Sequence, residues 1–143
     1  MKYRGDRNQG MQELILKATD ENLAVVLETL DRELVAAGCD EDTKYQLEVA
    51  VEEIYVNITD YAYGGSAGPV RIEMEMGDGA VITFIDEGEE FDPLKHEDPD
   101  VTLPGNKRKI GGLGIFIVKN SMDEMTYRYE EGKNILTIKK KWG

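Results

Sequence analysis

The apolar positions of this chain change period several times, and each change marks an element. From Met11 to Ala18 apolar and polar residues mix as in a strand, the first that the pattern predicts. Leu23, Val26, Leu27, Leu30 and Leu34 then recur at helical spacing, predicting a helix from Glu21 to about Ala37. Asp20 is placed to cap its start, and Gly38 falls where a C-terminal cap is expected. Asp40 is placed to cap a second helix, from about Glu41 to Tyr61, ended by Gly64-Gly65. Its apolar stripe is Leu47, Val51, Ile54 and Ile58.

The period then drops to two. Val70, Ile72, Met74 and Met76 alternate with polar residues, Gly77-Asp78-Gly79 turns, and Val81 to Ile85 returns, which predicts a β-hairpin. From about Glu87 to Ile110 no periodicity is sustained, and three of the four prolines fall here. Such a stretch inside a compact domain is usually functional or disordered. Gly111-Gly112-Leu113-Gly114 opens a third helix, to about Met122. A last strand pair follows: Met125 to Tyr129, a turn at Glu131-Gly132, then Ile135 to Lys141. The order β-α-α-β-β-loop-α-β-β predicts an α+β fold, a two-layer sandwich. About three helices would cover one face of a mixed, mainly antiparallel sheet. The 143 residues make one domain, 1–143, the expectation.

Charge and composition narrow the function. Lys and Arg number 17 against 29 Asp and Glu, a formal net charge of −12. That field repels a phosphate backbone and an anionic lipid surface alike, so neither nucleic acid nor membrane is an expected partner. One Cys and one His leave no internal disulfide and all but exclude zinc. No apolar run approaches the roughly 18–20 residues of a membrane span, and Met1 to Asp6 leads into no signal-like stretch. The cytoplasm is the expected compartment.

Three places carry chemistry. Glu53 and Asn57 lie one turn apart at the edge of the second helix's apolar stripe. An Asn carbonyl is a hard oxygen ligand for Mg²⁺, and a carboxylate one turn away can take a proton from an attacking hydroxyl. The same pair also fits an ordinary solvated helix edge. Asp86 ends an apolar strand, where a carboxylate can accept from the exocyclic amine of a purine, and Gly88 permits close backbone approach. Asp-x-Gly is equally a common turn signal. Glycines at the head of the third helix expose N–H groups that suit an anion. Neither a G-x-G-x-x-G fingerprint, broken by Ile117, nor a P-loop is present. His96, Cys39, Met122, Met125 and Trp142 read as solvated or packing residues. Glu87, Glu89, Glu90 and Asp92 read as a solvated charge run, and Lys139 to Lys141 as an exposed strand end.

Together and in this order, the three places resemble the N, G1 and G2 boxes of the Bergerat-fold ATPases (the GHKL superfamily). The resemblance is strongest to bacterial anti-sigma factor/serine-protein kinases. Glu52 to Ile58 with Tyr61-Ala62-Tyr63 looks like their N box, Asp86 to Pro93 like their D-x-G-x-x-F-D-P box, and Gly111 to Val118 like the third. The resemblance implies ATP and Mg²⁺ as ligands. It implies Glu53 as general base, Asn57 as Mg²⁺ ligand, and Asp86 with Gly88 at the adenine. It implies that Gly112, Leu113 and Gly114 bring backbone to the phosphates. An ATP lid would span about 89–110, with Lys107, Arg108 and Lys109 as its cations and Gly105 and Gly111 as hinges. The implied reaction is phosphoryl transfer to Ser or Thr of a STAS-type anti-anti-sigma protein, with a sigma factor as second partner and a homodimer as one assembly. The alternatives are a non-catalytic ATP-binding partner-switching module and a detached histidine-kinase-type ATPase domain. Two positions depart from the family pattern: Tyr61 stands where His is frequent, and Ile110 where some kinases have Arg.

Overall fold

The computed structural model describes residues 2–6, 11–64, 66–95 and 112–142, with backbone alone for 2–6 and 112–113. Its elements are β1 (Lys2–Asp6), β2 (Met11–Lys17), α1 (Leu23–Ala36), α2 (Glu41–Tyr61), β3 (Pro69–Met76), β4 (Gly79–Asp86), α3 (Gly112–Ser121), β5 (Glu124–Glu130) and β6 (Lys133–Lys141). The strands form one sheet in the order β1-β2-β3-β4-β6-β5. Every pairing is antiparallel, in keeping with the mainly antiparallel sheet expected, and no parallel pair occurs among the described strands. The strand β1 is an addition to the predicted order. Lys2 to Asp6 offers no apolar alternation, and its pairing rests on backbone bonds to β2.

The core follows from period two on the sheet meeting the helical stripes. Leu14, Ile72, Phe84 and Leu136 form one cross-strand row, all turned to the same face and all buried. Val26, Leu30 and Leu34 of α1 and Leu47, Val51, Ile54 and Ile58 of α2 close over that face. Val118 of α3, with Met122 just beyond the helix, joins the same cluster, and Met125 and Trp142 pack at its margin.

The two predicted helix caps come out differently. The Asp40 carboxylate accepts from the Thr43 N–H at 3.0 Å, and Glu41 and Asp42 fill the first turn of α2. A cap of this kind contributes about 1 kcal/mol, and the acidic turn suits the helix dipole. Asp20 caps nothing. It lies in a 3-10 turn, Asp20–Asn22, that precedes α1. Asn22, at the cap position, instead donates its amide to the Lys17 carbonyl at 2.8 Å, tying the helix start to the end of β2. Gly38 follows α1 with φ +80, the left-handed stop expected there.

Tyr55 shows why α2 sits where it does. The ring is fully buried, and its hydroxyl donates to the Thr19 carbonyl (2.7 Å) and accepts from the Thr19 N–H (3.1 Å). This pins the middle of α2 to the β2–α1 junction and turns Glu53 and Asn57 toward α3 and the sheet end.

Candidate nucleotide site

Asp86 is the last residue of β4 and continues the inward phase of Ala80, Ile82 and Phe84. A carboxylate therefore takes a core position, 7% exposed. A buried carboxylate is costly without partners. Its Oδ1 accepts from the Gly88 N–H and from the Asn134 amide, each at 2.9 Å. Its Oδ2 has no partner among the described residues.

Gly88 is needed there for space. A Cβ at this position would overlap the Ala62 carbonyl at the end of α2, whose oxygen also accepts from the Glu89 N–H at 3.2 Å. Tyr63 adds a second staple: its hydroxyl accepts from the Glu87 N–H at 2.7 Å and donates to the Pro69 carbonyl. Burial, above all, pushes the Tyr63 phenol above its ordinary value. The charges of Asp86 and Glu87 push the same way and the Glu87 N–H opposes them, so the hydroxyl stays neutral at neutral pH. Gly88→Ala is expected to lose roughly 1–3 kcal/mol of stability, because the obstacle is backbone rather than a movable side chain. A fall in the thermal midpoint of several degrees checks it.

A cleft of about 300 Å³ opens beside Asp86. Ile54, Ile58, Phe84, Ile115 and Leu136 supply apolar walls, and the polar points are Asn57, half-buried, with Asp86 and Asn134, both buried. Tyr61, Phe91 and Tyr127 also line it, with Tyr61 and Phe91 partly exposed at the mouth. An apolar slot with a few convergent polar groups is the usual form of a small-molecule site. Asn57 is half-buried, and its amide has no partner among the described residues. One side-chain oxygen beside open space fits Mg²⁺, which usually keeps several waters and takes its other ligands from phosphates. A cage of protein carboxylates is absent: among the described residues no group of three or more His, Cys, Asp or Glu could hold a metal ion.

Glu53 does not line the cleft. It lies one turn before Asn57, with its carboxylate against the backbone of Gly114 at the head of α3. A Cβ on Gly114 would overlap that carboxylate, so the glycine lets α3 close on the proposed base. The structure thus brings Glu53, Asn57, Asp86, Gly88 and Gly114 into one neighbourhood. Gly112 begins α3, and Leu113 follows on the same backbone. Arg108 lies outside the described residues, as do Lys107, Lys109, His96 and most of the expected lid.

Asn134 is a site residue that no motif in the sequence marked. It stands opposite Asp86 in the β4–β6 ladder, buried, on a strand that begins two residues earlier than the predicted Ile135. Its phase with Leu136 and Ile138 was the available signal: a polar residue at an inward position of an alternating strand. Of the expected solvated charge run, Glu87, Glu89 and Glu90 are exposed, with Glu89 and Glu90 at the cleft, whereas Asp92 is half-buried and its carboxylate accepts from the Leu94 N–H at 2.9 Å. Lys139 and Lys140 pair with Glu124 and Asp123 at the sheet margin.

Fold and site define an α+β two-layer domain whose sheet end and second and third helices enclose a small-molecule cleft with a buried carboxylate at its base. The chain belongs to the histidine kinase-like ATPase domain family, whose model matches residues 16–140. It is 29% identical over 134 residues to the serine-protein kinase RsbW of Staphylococcus epidermidis, covering 89% of this chain and 84% of that protein. It is 28% identical over 136 residues to RsbW of Staphylococcus aureus (strain Newman), with the same coverage of 89% and 84%. The crystal structure of the RsbU and RsbW domains of Rv1364c from Mycobacterium tuberculosis superposes with a TM-score of 0.63 at 16% identity. That match covers 92% of this chain and 32% of the other, so this chain spans about a third of that two-domain structure, and the likeness is one of fold. Among the described residues no helix is long and apolar enough to cross a membrane.

Proposed function

We propose that this chain binds ATP with Mg²⁺ in the cleft and transfers the γ-phosphoryl group to Ser or Thr of a STAS-type anti-anti-sigma protein, acting in the cytoplasm as an anti-sigma factor. The observation that carries the reading is Asp86: a buried carboxylate with one oxygen held by the protein and the other without a partner among the described residues, at the base of an apolar slot. The 6-amino group of adenine is the donor that suits it, and the apolar walls suit the ring.

The chain's own residues then divide the work. Asp86 and Gly88 fix the base end. Asn57 would hold Mg²⁺, which when bound supplies positive charge to the phosphates. The N–H groups at the start of α3 face an anion favourably. Glu53, against that same helix start, takes the proton from the incoming hydroxyl. The naming of the Staphylococcus relatives as serine-protein kinases supports a protein hydroxyl as acceptor. The formal net charge of −12 suits a partner with a basic face.

Titration calorimetry tests the nucleotide step. ATP is expected to bind more tightly with Mg²⁺ than without it, and Asn57→Ala to remove roughly ten- to hundredfold of that advantage, as losses of metal-supporting groups do. Negligible heat from wild type with ATP and with ATP plus Mg²⁺ would remove the nucleotide reading.

A further inference from the structure

Asn134 has a more particular role, and it rests on the reading of the cleft as an ATP site. The residue is 6% exposed, and its side chain is committed at both ends. Nδ2 donates to Asp86 Oδ1 at 2.9 Å, to the Glu89 carbonyl at 2.9 Å and to the Gly88 carbonyl at 3.4 Å. Oδ1 accepts from the Phe91 N–H at 3.0 Å and from the Tyr127 hydroxyl at 2.5 Å. Burial, chiefly, raises the Tyr127 phenol, and the charges of Glu90, Asp92 and Asp86 add to it against the Phe91 N–H, which keeps the phenol a donor. An amide has two donor hydrogens and two acceptor lone pairs, and here the surroundings use all of them. Turning the amide over would set its carbonyl against three oxygens and its NH₂ against the Phe91 N–H. The orientation is therefore fixed by the protein before any ligand arrives.

We propose that Asn134 is the positioning residue that sets base selectivity. With the Gly88 N–H it occupies Asp86 Oδ1, so among the described residues Oδ2 is the carboxylate oxygen left to a ligand, and it is left as an acceptor. A 6-amino purine meets it with a donor. A 6-oxo purine meets it with another acceptor and is rejected. Asn134 also holds the backbone of Gly88, Glu89 and Phe91, so the same side chain that orients the carboxylate shapes the wall beside it.

The test compares ATP with ITP, which differ at the purine 6-position. A single hydrogen bond to a charged group corresponds to roughly ten- to hundredfold in affinity, and wild type is expected to prefer ATP by that factor. Asn134→Asp keeps the shape and the acceptors for Phe91 and Tyr127 but sets a second carboxyl against Asp86. Two carboxyl groups that close share a proton, and the pair can then offer a donor as well as an acceptor. The preference is expected to collapse to within about threefold, largely by gain of ITP binding. A merely structural role would lower the thermal midpoint and weaken both nucleotides alike, leaving the ratio unchanged, and that result overturns the proposal. Wild type that binds ATP and ITP equally also overturns it, while leaving the ATP reading standing. Wild type that binds neither brings down both. Should Asn134→Asp fail to fold, the wild-type side-chain amide of Asn134 can be followed by nitrogen–proton NMR. It is expected to shift on saturation with ATP and to stay in place with ITP at the same concentration, and an unmoved signal under saturating ATP refutes the assignment.

Discussion

Asp86→Asn is expected to lower ATP affinity about a hundredfold or more while the domain stays folded. The new amide can put its carbonyl where Oδ1 was, accepting from the Gly88 N–H and from Asn134 as before. Its NH₂ then takes the place of Oδ2 and faces the 6-amino group donor to donor. The lost bond to a charged acceptor accounts for about 1.5–3 kcal/mol, and the opposed donors add to it. A hundredfold corresponds to about 2.8 kcal/mol, within reach of these two effects. Calorimetry gives the affinity, and a thermal melt separates it from unfolding. A folded Asp86→Asn protein that binds within about threefold of wild type shows that the cleft does not hold the base through this carboxylate.

The second large effect concerns Glu53. Glu53→Gln keeps the size and the helix propensity but removes the basicity. Because Glu53 lies outside the cleft and against Gly114, ATP binding is expected to change little. Phosphoryl transfer to the STAS partner is expected to fall by roughly 10²–10⁴-fold, the usual contribution of a general base. Glu52, about 100° around the helix and exposed, is expected to tolerate the same change. Radiolabelled transfer to candidate STAS proteins gives the rates. Equal labelling by wild type and Glu53→Gln removes Glu53 from the chemistry. Binding of partner and ATP by wild type with no labelling at all identifies a partner-switching module without catalysis.

Much of this arrangement was legible in the residues, for physical reasons that differ from place to place. The bounds of α2 were clear because its cap, its acidic first turn and its apolar stripe all agree. The β3–β4 hairpin was clear because one face is buried along nearly its whole length, up to the partly buried Met76, which leaves the period undisturbed. Asp20 misled because a capping residue type was present while the local backbone made a 3-10 turn, with Asn22 spent on β2. β1 could not be read because its pairing depends on backbone groups and not on an apolar pattern. At the site, Asp86 and Gly88 announced themselves through their neighbours in sequence. Asn134 is 48 residues from the carboxylate it holds, and no local motif encodes that pairing. The closeness of Glu53 to Gly114 is likewise a product of helix packing, visible only once α2 and α3 lie together.

The strand order β3-β4-β6-β5 bears on when the site can exist during synthesis. Asp86 acquires its amide partner only when Lys133–Lys141 pairs with Gly79–Asp86. A ribosome that has just released the β3–β4 hairpin has thus made the carboxylate but not the group that orients it. Until then β4 carries an unpaired edge with Ile82 and Phe84 beside it, the type of surface on which nascent chains misassociate. Pairing elements so far apart in the chain is slow relative to closing a hairpin. Nucleotide competence should therefore appear in one step, late in translation, and a ribosome stalled before β6 emerges should carry a chain that is largely helical and sheet-forming yet blind to ATP.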